Sequence, residues 1–107
     1  MARKVCWMFI NKDVEGGVKR QVMPYGNSEM HTVGVASYEI AAETAKKLVE
    51  EEGVIMIELC GGFGSAGVAM VEKAIDYKVP VGAIRFENHP GYGGESGDIR
   101  WLGINKE

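Results

Sequence analysis

The chain has 107 residues, 46% of them hydrophobic and 25% charged, with a formal net charge of −3. That length sustains one core and one domain over 1–107, and folding buries roughly 65% of the unfolded surface. Lys and Arg lie scattered among Glu with no basic stripe, so neither nucleic acid nor an anionic membrane is expected as a partner.

In chain order, "KVCWMFI" (4–10) is apolar without alternation, as a strand buried on both faces should be. Two basic residues and a short apolar run without a small-residue cleavage site do not make a leader. No apolar run approaches a membrane span, and two cysteines, Cys6 and Cys60, make no disulfide framework and suit a reduced, cytoplasmic compartment. Residues 11–30 carry turn signals at Gly16-Gly17, Pro24 and Gly26-Asn27, with "VKRQVM" either a short edge strand or one helical turn. "HTVGVAS" (31–37) reads as a second strand, headed by His31 at the surface, and Ser37 stands where an N-cap belongs. A helix over 38–52 then places Ala41, Ala45, Leu48 and Val49 on one face, with Gly53 closing it. "VIMIELC" (54–60) is a third strand, 66–77 a second helix with Val68, Val71 and Ile75 inward, and "VPVGAIRF" (79–86) a fourth strand. A Gly-rich loop and C-terminal arm (88–107) follow, containing "DIRWLGI" as a fifth-strand candidate.

Two consecutive strand–helix–strand units imply an α/β sandwich with a mainly parallel sheet of four to five strands, and right-handed crossovers put both helices on one face. The expected order is 2-1-3-4 in a Rossmann- or flavodoxin-like half, because "KVCWMFI" and "VIMIELC" are the most apolar runs. The opposite face then has only Val14, Val18, Val22, Met23 and Tyr25 to cover it. A homodimer or higher homo-oligomer is therefore expected.

"HTVGVAS", "IELCGGFG" and "VPVGAIRF", with the helices between them, resemble a family of small stand-alone prokaryotic proteins catalogued as a domain of unknown function. The resemblance implies a compact α/β domain and brings no catalytic residues with it.

The chemistry-bearing stretch is "IELCGGFGSAGVAM", between the third strand and the second helix. Open α/β sheets bind ligands beyond the carboxyl ends of their strands where the winding reverses. Asn11 and Lys12 lie there after the first strand, beside the loop Gly61, Gly62, Gly64, Ser65 and Gly67. Gly62, Gly64 and Gly67 spell G-x-G-x-x-G, and Glu87 follows twenty residues later, the layout of a dinucleotide fingerprint. With 15 glycines in the chain, chance matches are frequent. A smaller phosphate-bearing or carboxylate ligand at the helix N-terminus fits the lone half better, and close strand–helix packing is the bland reading. Cys60, at a strand end before a helix, is a candidate nucleophile with His89 as base. Glu58 interrupts a strand read as central, and Arg85 sits near the end of the next one; pairing them across the sheet gives a structural ion pair, a polar interface patch or a tuned catalytic carboxylate. Asn88, His89, Tyr92, Glu95 and Asp98 lie in the Gly-rich loop, read as a lid or a flexible surface loop. No His or Cys pair has metal-ligand spacing, so no metal is expected, and no cofactor is identified. Three functions stay open: a small-anion binder at 60–67, an enzyme with a Cys60 nucleophile, and a homo-oligomeric assembly protein without a small-molecule site.

Overall fold

The apolar run at the start of the chain forms β1 (Arg3–Ile10), and its two faces have different fates in the computed structural model, which describes residues 2–104. Cys6, Met8 and Ile10 point into the core, while Trp7 and Phe9, on the other face, are only partly covered. A turn at Glu15–Gly17 leads into β2 (Val18–Tyr25), which folds back through Gly26-Asn27 onto β3 (Ser28–Val35). Gly26 takes a left-handed φ of +52° there, which a β-branched residue would resist.

α1 (Tyr38–Glu50) begins at Ser37, whose hydroxyl accepts the Ile40 N–H at 3.1 Å. Its Tyr38, Ala41, Ala45 and Leu48 fall on one face at helical spacing and are buried. β4 (Ile57–Leu59), α2 (Ser65–Ala74) and β5 (Val81–Ala83) follow, all shorter than the sequence pattern suggests. α3 (Gly97–Leu102) closes the described chain.

The sheet runs β2-β3-β1-β4-β5 and is mixed. β3, β1, β4 and β5 run parallel to one another, and β2 is antiparallel to β3 along its whole length. This differs from the expected 2-1-3-4 order because 18–25 joins the sheet as an edge strand. The same pairing answers the choice left at "VKRQVM": it is strand, and it widens the sheet instead of covering it. "DIRWLGI" is also corrected. Its β-branched and aromatic residues suggest a strand, but Ser96 caps a helix through the Ile99 N–H and Gly103 ends it at φ +66°. The last three residues of the expected C-terminal arm, 105–107, lie outside the described residues.

α1 and α2 pack together on the face carrying Cys6, Met8, Val33, Val35, Ile57 and Leu59. The register puts His31 on this face beside Cys6, and it is buried at 3% exposure, not at the surface as its place in the sequence suggests. The opposite face carries Val5, Trp7, Phe9, Met30, Thr32, Gln21, Met23, Lys19 and Glu58. Among the described residues, no helix is long and apolar enough to cross a membrane.

Candidate functional site: the glycine loop and the arm over it

The loop from Cys60 to Gly64 leaves β4 and turns into α2 at the carboxyl end of the parallel strands. None of Gly61, Gly62, Gly64 or Gly67 has a positive φ, so the backbone conformation does not require glycine there. Close approach does. A Cβ on Gly61 would strike the Phe86 ring, one on Gly62 would meet Ile10 and the Tyr92 hydroxyl, one on Gly64 would strike the Asp98 carboxyl, and one on Gly67 the Tyr38 ring. Gly97 is held as tightly from the other side, against the Gly62 carbonyl. Within the G-x-G-x-x-G spacing, Gly62 and Gly64 therefore seat this chain's own arm, and Gly67 seats the Tyr38 ring of α1.

Asp98 is the centre of that seat. Its Oδ2 accepts the Ala66 N–H at 2.8 Å and its Oδ1 the Gly67 N–H at 3.2 Å, both from the first turn of α2. Tyr38 donates its hydroxyl to Oδ1 at 3.1 Å and accepts the Gly64 N–H at 2.9 Å. A carboxylate thus already occupies the position at which the helix dipole and free amides would hold an external anion. Burial is the leading cause that pushes the Tyr38 phenol well above its ordinary value, so it stays a donor. Aromatic packing fixes the arm further: Tyr38 stacks on Phe63 at 5.5 Å between centroids, and Trp101 donates its indole N–H to the Tyr92 hydroxyl at 3.1 Å.

Beside this plug a cleft of about 430 Å³ stays open, lined by Ser65, Arg85, Glu87, Ser96 and Asp98 among others. Arg85 and Glu87 pair at 3.2 Å on a largely exposed surface, a contact that exchanges at little cost. Asp98 Oδ2 accepts one hydrogen bond from the chain and has capacity for another. Ser65 is exposed at the first position of α2.

The other residues singled out from the sequence disperse. Asn11 and Lys12 line a separate cleft of about 190 Å³ with Tyr92, Arg100 and Trp101. Asn11 caps the Asp13 N–H, and Lys12 pairs with Asp13 at 3.0 Å. Glu58 lies on the face away from the helices and is exposed, while Arg85 pairs with Glu87. The expected Glu58–Arg85 pair does not form because Glu58 lies opposite Gly82, three residues before Arg85 and within a β5 that ends at Ala83, and alternation turns it onto the face that no helix covers. Cys60 Sγ accepts the Gly62 N–H at 3.4 Å, and His89 Nδ1 accepts the Gly91 N–H at 2.9 Å with its ring stacked on Tyr92. Neither interaction makes His89 a base for the thiol. Cys6 is fully buried, and desolvation pushes its thiol up to about 12. No group of three or more His, Cys, Asp or Glu among the described residues could hold a metal ion.

The two side chains that hold the loop were not readable as such in the sequence, although Asp98 was among the residues read as a lid or a flexible surface loop. Tyr38 follows an N-cap and reads as ordinary helix; its only trace is Gly67, an unfavourable residue inside a helix. Asp98 is one acid among several in the lid, and its contact with Ala66 spans 32 residues.

No curated protein sequence and no solved structure matches the chain. A family model does match, over residues 3–99, and that range takes in the sheet, α1, α2, the glycine loop and Asp98. The chain belongs to this family, the family of unknown function DUF6506.

Proposed function

We propose that the protein binds a small ligand carrying a carboxylate or phosphate group together with a hydrogen-bond donor such as a hydroxyl or ammonium. The site is the cleft between the first turn of α2, the residues after β5 and the lead into α3. The reading moves the anion from the amides of the glycine loop, which Asp98 and Tyr38 take, to Arg85 and Ser65 at its rim. What supports it is one convergence: a guanidinium, a serine hydroxyl and a carboxylate oxygen with spare acceptor capacity line a single cleft of about 430 Å³. Arg85 exchanges Glu87 for the ligand's anionic group, Ser65 donates to the same group, and Asp98 Oδ2 or Glu87 accepts from the ligand's donor. No reaction is assigned to the site, and no group in it is placed to activate a nucleophile.

A thermal-shift panel of inorganic phosphate, simple carboxylates, and 2-hydroxy and 2-amino carboxylates tests this. A ligand at one hundred times its dissociation constant adds about 2.7 kcal/mol to stability. The bifunctional acids should shift the melting temperature more than acetate does, and Arg85→Ala should remove the shift while leaving the unliganded protein unchanged. A flat response across the panel, or a shift that survives Arg85→Ala, refutes the site.

A further inference from the structure

Independently of the cleft, the uncovered face of the sheet has the layout of a surface that meets its own copy. Its centre is apolar: Trp7 and Phe9 from β1 and Met30 of β3 are half-buried, Met23 of β2 is 61% exposed, and Val5 beneath them is already buried within the chain. Phe9 lies over Gly34, where a Cβ would collide with its ring, so the ring is seated close against the sheet in the middle of the face. Charge sits at the rim: Lys19 on β2 at one side, Glu58 on β4 at the other, and exposed Arg3 at the outer end of β1 beside Ser28. All eight residues of β2 are exposed, yet Pro24, Lys19 and Arg20 blunt it as an edge for strand addition. That leaves the face itself as the contact.

We propose that this face is the interface of a two-fold homodimer, its axis lying between the two sheets, parallel to the strands and midway between β3 and β1. The choice of axis follows from the charges. Rotation about it carries β2 over the partner's β4 and keeps the height along the strands, so Lys19 comes within one side-chain row of the partner's Glu58, a separation a lysine stem spans. The contact occurs twice by symmetry. The same rotation lays Trp7 over the partner's Thr32. A two-fold axis across the strands would instead stack each Lys19 over the partner's β2 and leave both Glu58 side chains unpaired. Sheet spacing gives a footprint on the order of 600 Å², which side-chain relief brings near the roughly 800 Å² per partner of a standard interface. A second copy suits the face better than an unrelated protein, because its two flanks complement each other.

The test is charge reversal read by light scattering on the full chain at micromolar concentration. The wild type should have twice the monomer mass. Lys19→Glu and Glu58→Lys should each raise the dimer dissociation constant by about tenfold or more, and the double variant should return to within about threefold of wild type. Both side chains are exposed, so circular dichroism should show all three variants folded. A monomer at every concentration, as expected if a different protein covers this face, overturns the proposal. So does a dimer indifferent to both reversals.

Discussion

Asp98, in the arm, and Glu52, just after α1, each tie together parts of the chain 32 residues apart, and they do so by different means. Asp98 is held by neutral donors, two amides of α2 and the Tyr38 hydroxyl, in a partly buried seat. Glu52 is held by the Arg20 guanidinium through both oxygens, with about a third of each side chain exposed. Arg20 also donates to Nδ1 of buried His31 at 2.6 Å, which directs the other ring proton, on Nε2, to Glu29 at 2.9 Å. The first clamp demands exact space, and glycines supply it. The second demands only a long flexible cation at an edge strand. Shape should therefore govern the strength of one, and ionic conditions that of the other.

The sharpest way to break this contrast is at Gly67. In an exposed helix, Gly→Ala gains up to about 1 kcal/mol. Here the methyl meets the Tyr38 ring, and Gly67→Val should cost about 3 kcal/mol by denaturant titration, with Gly67→Ala failing to gain. A stabilised Gly67→Ala would show that the ring does not need the space. Asp98→Ala should come next, at about 2–3 kcal/mol, since it strands two α2 amides and leaves the Tyr38 hydroxyl only the long contact to the Gly62 carbonyl at 3.4 Å. That loss should be the same in low and high salt.

Glu52→Gln should cost much less, about 0.5 kcal/mol after allowance for solvent screening, and the loss should shrink further in salt. Its pH dependence has a definite sign. Hydrogen bonding to Arg20 holds the Glu52 carboxyl below its ordinary value of 4.5. The unfolded chain therefore takes up the proton first as the solution is acidified, and the pair's contribution, full above 4.5, is lost as pH falls through the lower folded value. The Gln variant should converge on wild type in that acid window; an unchanged gap there removes the ion pair from the account. The two thiols give the smallest effect, a difference in labelling with no change in stability. Iodoacetamide at neutral pH should modify partly exposed Cys60 and reach Cys6 only after unfolding.

The parts legible in the sequence are those whose signals are local. Ser37, Gly53 and the Ala41–Ala45–Leu48 spacing define α1, and the apolar runs mark β1, β3 and β4. β2 was ambiguous because Val18, Arg20 and Val22 alternate too weakly around Pro24 to separate strand from helical turn. α3 carried its own signals, Ser96 three residues before Ile99 and Gly103 at the end, but Ile99 and Trp101 outweighed them. Glu58 reads as buried only if both faces of its strand are covered, and no helix packs on the face it occupies. The Asp98 plug was not legible at all: a contact between an arm and a helix N-terminus leaves no periodicity, and the glycines that permit it are the same ones a phosphate would want.

The first amides of α2 go to Asp98, and the proposed ligand is left the rim of the glycine loop. Amide NMR during a titration with inorganic phosphate tests it most directly. The Ser65 amide and the Arg85 signals should move, while Ala66 and Gly67 hold still. If Ala66 and Gly67 move together with Asp98, and Asp98→Ala binds phosphate more tightly at those amides, the loop is an anion site that the arm merely covers, and the account is wrong.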